Sequence, residues 1–240
     1  MTALSFVLTG PLQSWGVRSR YVRRETAREP TKSGIIGMLA AARGHRRTDP
    51  LPDDLLGLRF GVRTERPGVL LRDLQTARRL DGSALPLSER LYLADATFLV
   101  VVEGDRSVLD GLRDRLLSPQ YPLYLGRRSC PPGRPVLGEL HDSDYITVLE
   151  TATWQVTDGV ARRAPRTVSC DIARDACPDD KLGVRPDIQR DTPVSFDPEF
   201  RRHDWRTVVR YAVDVDNPHG HQPVDRSSDL PEHEPAVFGG

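Results

Sequence analysis

TFLVVVE, residues 97–103, is a nearly continuous run of β-branched and apolar residues, the composition of a strand covered on both faces. RSVLDGLRDRLL follows over 106–117 and places Val108, Leu109, Leu112 and Leu116 on one helical face. Upstream, Leu4, Phe6 and Leu8 alternate with Ala3, Ser5, Val7 and Thr9, a period-2 strand that stops at Gly10-Pro11. PTKSGIIGMLAAARG (30–44) reads as a helix: Thr31 or Ser33 caps it, Ile35, Leu39 and Ala42 share a face, and Gly44 closes it. LRFGVRT (58–64) is a weaker strand. Strand, helix, strand, arm, strand, helix is the ferredoxin-like βαββαβ order once a last strand follows, so the expected class is α+β. TVLETATWQV (147–156) and RTVVRYAVDV (206–215) are the later strand candidates, which make the C-terminal part β-rich.

The arm at about 70–95 has no core period. Asp81-Gly82 lies between LQTARRL and LSERLYL, which suits an extended hairpin with an Asp-Gly turn. It carries Arg72, Arg78, Arg79 and Arg90. A lone two-stranded arm is marginal in water, so a partner is expected to order it. The expected organisation is a core over 1–215 with this insertion, then a mobile acidic tail over 216–240.

Length and composition agree with one large domain: 240 residues, 38% hydrophobic and 28% charged. No run of 18 apolar residues exists, so no membrane partner is expected. MTALSFVLTGPLQ lacks the basic start of a signal peptide. Cys130, Cys170 and Cys177 are too scattered for a disulfide framework, which points to a reducing cytoplasm. The net charge of zero conceals a polarity. Residues 1–48 hold nine basic residues against Glu25 and Glu29, whereas 211–240 hold Arg226 against six acidic residues. A basic end implies an anionic partner.

Lys32-Ser33 before a helix invites comparison with a phosphate-binding loop, but the two glycines that motif needs are replaced by Thr31 and Thr26. The helix start with Lys32 still offers a phosphate site, or else is an ordinary capped helix. Gly34 and Gly37 cost about 1 kcal/mol each in a helix interior, which implies a close approach to that backbone. In LYLGRRSCPPG (123–133), Gly126 permits close approach, Arg127 and Arg128 offer forked donors, and Tyr121 and Tyr124 offer stacking faces. The alternative is a surface turn with solvated arginines. Cys130 follows a basic pair that could lower its pKa. Cys170 and Cys177 have poor zinc spacing, and HDSD (141–144) reads as a polar turn more than an acid–base group. No catalytic, metal or cofactor site is expected.

LTGPLQSWG (8–16), PTKSGIIGMLAAARG (30–44) and YLGRRSCPP (124–132) resemble, in order and spacing, the signature blocks of the CasD family. That family is the subunit of the type I-E CRISPR Cascade complex that binds the 5′ handle of the CRISPR RNA (crRNA). The similarity covers roughly residues 1–140, and PVSFDPEFRRHDW (193–205) is similar to a late family segment. The resemblance implies an RRM-like form of the ferredoxin-like core, with the arm as a β-hairpin thumb. It also implies a seat between an adjacent backbone subunit and the large PAM-recognising subunit, with target DNA reached only through the complex. No catalysis is implied; the alternative is a metal-independent CRISPR endoribonuclease with His141 or a Tyr as base. Single-stranded RNA is held by stacking, arginines and backbone N–H groups. The expected RNA-binding residues are therefore Gln13, Trp15, Arg18, Lys32, Ser33, Gly34, Arg78, Arg79, Tyr124, Gly126, Arg127, Arg128 and Ser129.

Overall fold

Thr97–Gly104 is buried almost from end to end because strands flank it on both sides and helices cover both its faces. The computed structural model describes residues 1–16, 23–178, 180 and 186–221. The chain begins with strands β1 (Thr2–Thr9), β2 (Leu12–Gln13) and β3 (Arg23–Arg24), then helices α1 (Lys32–Arg43) and α2 (Asp53–Leu56). Strands β4 (Arg59–Arg66), β5 (Val69–Gln75), β6 (Ser88–Ala94) and β7 (Thr97–Gly104) follow, then helix α3 (Arg106–Leu117) and β8 (Gly138–His141). The rest comprises α4 (Tyr145–Thr151), α5 (Asp158–Ala161), β9 (Thr167–Asp175), β10 (Asp187–Ser195) and β11 (Arg202–Asp216).

One antiparallel sheet runs β10-β11-β9-β4-β7-β1-β8. Its β4-β7-β1-β8 part, with α1 and α3, is the ferredoxin-like unit; β9, β11 and β10 extend it from the β4 edge as the expected β-rich C-terminal part. On the first face, Leu4, Phe6, Leu8, Val100 and Val102 pack with Ile35 and Leu39 of α1 and Leu109, Leu112 and Leu116 of α3. On the second, Ala3, Leu99, Val101 and Ile172 lie with Tyr145, Val148 and Leu149 of α4. Each such side chain contributes about 1.5–3 kcal/mol by leaving water. Both main helices have the expected bounds. Thr31 Oγ1 caps α1 by accepting from Gly34 N at 3.3 Å, and Gly44 closes it with φ +90°.

Part of the expected strand over 147–156 is instead helix α4, and none of the rest pairs in a sheet. Asp144 caps α4 by accepting from Thr147 N at 2.9 Å and Thr147 Oγ1 at 2.7 Å, and Tyr145, Val148 and Leu149 turn inward at helical spacing. The arm forms as a hairpin, β5 against β6, with the register Val69↔Ala94 to Gln75↔Ser88. It is less isolated than expected, because β6 also pairs with β2 and β3 and so centres a second sheet. Past β11, Asn217 is buried and donates to the carbonyls of Ala161 and Pro165 at 2.8 and 3.0 Å. Residues 216–221 are thus built onto the core, while 222–240 of the acidic tail lie outside the described residues. Among the described residues no helix is long and apolar enough to cross a membrane.

Candidate nucleic-acid interface

The three sequence blocks meet in space, and they grip one another. Ser14 N donates to Leu125 O at 3.0 Å. Gly126 has φ +88°, and a Cβ on it would lie 1.8 Å from the Ser14 carbonyl oxygen. On the other side Trp15 lies against Gly34, where a Cβ would come within 2.9 Å of Trp15 Cε3; Phe196 approaches Gly37 similarly at 3.3 Å. The close approach that the helix glycines imply is therefore made by the chain's own rings. Trp15 and Gln13 are fully buried. Trp15 Nε1 donates to Gln13 Oε1 at 3.2 Å, and Gln13 Nε2 to Ala96 O at 2.8 Å. The reading of these two side chains as RNA contacts is corrected: buried polar groups must find partners, and theirs lie inside the fold.

The start of α1 is corrected in the same way. Lys32 N donates to Asp191 Oδ2 and Lys32 Nζ to Asp175 Oδ2, each at 2.8 Å. Arg206 joins the two carboxylates, at 2.6 Å from Asp191 and 2.8 Å from Asp175. The anion at the helix N-terminus is thus a carboxylate of this chain. Burial alone would lower the Arg206 pKa, but Asp191 and Asp175 outweigh it and raise the pKa above the usual arginine value. Lys32 and Ser33 are buried and Gly34 is half-buried against Trp15. Nothing local in the sequence marks Asp175, Asp191 or Arg206 for this task.

The loop at 124–129 divides its residues. Arg127 turns inward: it donates to Leu91 O at 3.1 Å, Arg24 O at 2.9 Å and Glu25 O at 3.3 Å, and lies 4.9 Å over the Tyr92 ring. Gly126, Arg128 and Ser129 are exposed and Tyr124 is half-buried. Burial pushes the Cys130 thiol up despite Ser129 and Arg127, the reverse of the activated thiol that a basic pair suggests. Arg78 and Arg79 stand exposed at the arm tip, where Asp81 accepts from Ser83 N at 2.9 Å and Gly82 has φ +84°. Arg18 lies outside the described residues. His141 Nε2 and Ser5 Oγ share a hydrogen bond of 2.8 Å, Asp142 pairs with Arg106, and Asp144 is the α4 cap. No group of three or more His, Cys, Asp or Glu side chains suited to a metal ion occurs among the described residues.

Residues 3–209 match the family described as CRISPR-associated protein (Cas_Cas5). The chain belongs to the CRISPR-associated Cas5 family. Within it, this Cas5 chain is 37% identical over 158 residues to the Escherichia coli (strain K12) protein named CRISPR system Cascade subunit CasD, covering 57% of this chain and 70% of that protein. The CasD resemblance of the three blocks therefore stands. A solved chain described as CRISPR RNA-guided surveillance complex superposes with a TM-score of 0.71 at 32% identity, over 92% of this chain and 94% of that one. Another, described as Crystal structure of Cas protein, gives 0.69 at 32% identity, over 92% and 98%. The polar side chains that this Cas5 chain turns fully outward from its signature blocks are Arg128 and Ser129, beside the exposed Gly126 and next to Tyr124, with the arm arginines as a second cationic element.

Proposed function

We infer that the chain is a non-catalytic subunit of a cytoplasmic CRISPR surveillance complex of the Cascade kind, and that it holds the 5′ handle of the crRNA. The observation that carries this reading is the loop at 124–129, whose locked, inward Arg127 leaves Arg128, Ser129 and the exposed Gly126 facing solvent. A guanidinium fork and a hydroxyl are donors that splayed RNA phosphates need; Gly126, whose own N–H is given to Tyr124 O at 2.9 Å, leaves room for close approach, and Tyr124 offers a partial stacking face. The name of the CasD relative and the likeness to a surveillance-complex chain support the assembly.

The arm supports contact with an adjacent backbone subunit. Leu70 and Leu74 are 60% and 52% exposed, and the tip adds Leu80 and Leu85 beside Arg78 and Arg79. Apolar residues for protein and arginines for phosphate on one projection suit a strap laid across an RNA. The large PAM-recognising subunit is the second neighbour, and target DNA is reached only through the assembled complex. No cofactor is required. The endoribonuclease alternative has no independent support, since the His141 bond goes to a serine and both nearby aspartates have structural roles.

Incubating the purified chain with repeat RNA tests the reading. Retention without cleavage is expected, with Arg128→Ala weakening retention. Cleavage lost in His141→Ala would overturn the non-catalytic role, and failure to retain RNA would overturn handle binding.

A further inference from the structure

Beside α4 the second face of the sheet is left partly bare. Two cavities, of ≈ 390 and ≈ 400 Å³, adjoin there and share Arg134 and Gln155 in their linings, so they form one trough. Each lies within the range of about 300–1,000 Å³ typical of small-ligand sites. Its floor is Ser5, Val7 and Thr9 of β1 with Thr97 and Leu99 of β7.

Both walls are fixed from within. Arg63, fully buried and paired with Glu65 at 2.6 Å, donates to the carbonyls of Leu149 and Ala152 at 2.8 Å and of Thr153 at 3.0 Å. Glu65 accepts from Gln155 N at 2.6 Å. This clamp ends α4 and holds 152–155 as one wall. Opposite, Gly133 N donates to Thr9 O at 2.8 Å, and β8 pairs with β1 through Phe6↔Gly138 and Ser5↔Glu139.

The charges are placed asymmetrically. Arg66 and Arg134 line the first cavity with one acidic residue, Asp95. Both arginines are exposed, and neither side chain makes an ion pair or hydrogen bond among the described residues. Asp95 has φ +56°, the single positive value at a non-glycine residue among those described. The second cavity has Val7 and Leu99 in its floor, with Glu139 and Gln155 able to hydrogen-bond a base edge beside the mutually bonded Ser5 and His141.

The position links this trough to the loop. Residues 125–133 run antiparallel beside 9–14, tied at Ser14–Leu125 and at Gly133–Thr9. That strip carries Arg128 near one end and leads into Arg134 at the other. Arg66 ends β4 where the arm begins, so the first cavity lies at the junction of arm, loop and sheet.

We propose that this trough is a second RNA seat, in which Arg66 and Arg134 hold backbone phosphate of a short single-stranded stretch and the second cavity takes a base. The proposal rests on the reading of the chain as a crRNA subunit. Cations at one end of the trough and the apolar Val7 and Leu99 at the other fit the phosphate and base of a nucleotide, and continuity with Arg128 favours RNA over a free nucleotide.

The test is fluorescence anisotropy of the full chain with a single-stranded handle RNA containing 4-thiouridine, over a salt series, followed by photocrosslink mapping. Arg66→Ala with Arg134→Ala should lower the slope of log affinity against log salt by about 1.4, at about 0.7 per phosphate contact on single strands. Crosslinks to peptides containing Ser5–Thr9 and 134–141 should vanish with it, while circular dichroism stays that of wild type. Arg128→Ala is the control and should lower the slope separately. An unchanged slope in the double variant, with crosslinks confined to 124–129, overturns the trough and leaves the proposed function standing. Failure of the wild-type chain to bind overturns both. Competition by uridine monophosphate as strong as that by the RNA overturns the assignment to RNA.

Discussion

Gly126→Ala tests how the interface loop is held. At φ +88° an L-residue costs about 1–2 kcal/mol. The added Cβ would lie 1.8 Å from Ser14 O and 2.7 Å from Ser14 C. Both are backbone atoms with no rotamer to escape into, so the loop itself must move. Movement breaks the 3.0 Å bond from Ser14 N to Leu125 O, worth about 1 kcal/mol. It also draws Arg127 off the carbonyls of Leu91, Arg24 and Glu25, half-exposed bonds worth together about another 1 kcal/mol. Gly82→Ala is the matched control. Its φ is +84°, yet nothing lies within 4 Å of a Cβ there, so it carries the conformational cost alone. The difference between the variants is then about 2 kcal/mol, or roughly 4–8 °C in melting temperature for a chain of this size. Thermal melts of the two variants beside wild type measure it. Equal shifts would refute the close packing of Gly126 on Ser14, and with it the account of how Arg128 is presented.

Deleting 76–88 and closing the gap with Gly-Ser should leave the melting transition of the core intact, because β6 keeps its β2 partners at Leu93 and Ala94; assembly with partner subunits should fail, and normal assembly would count against the arm's role. The Arg174 guanidinium holds the Asp180 carboxyl below the usual aspartate range. The stability it supplies is therefore complete above the unfolded aspartate pKa of about 3.9 and drains as pH falls through the lower folded value. Asp180→Asn should flatten the loss of stability with acid in that window, as followed by urea melts at stepped pH; an unchanged slope would show the pair to be without consequence. Burial pushes the Cys170 thiol up to about 11, and Cys130 is raised likewise. Alkylation at neutral pH mapped by mass spectrometry should find Cys177 reacting first, with Cys130 and Cys170 modified only on unfolding.

Local interactions were legible. The bounds of α1 follow from its caps Thr31 and Gly44, those of α3 from a 3.6-residue period within its own segment, and the burial of β7 from its unbroken apolar run. Over 147–156 the β-branched composition misleads, because Asp144, just outside the stretch, caps a helix and the second face of the sheet rewards the inward turn of Val148 and Leu149. At the site, sequence stated demands without naming who meets them. A helix start wants an anion, and only the folded chain reveals that it is Asp191, 159 residues away. Two helical glycines want a close neighbour, and only packing identifies Trp15 and Phe196. Two adjacent arginines look alike in a string of letters, yet one is spent on backbone carbonyls and the other faces water. A residue's chemistry is set by its type, but whether that chemistry is available depends on which distant groups have already consumed it. That is decided by long-range contacts, and one-dimensional periodicity carries no record of them.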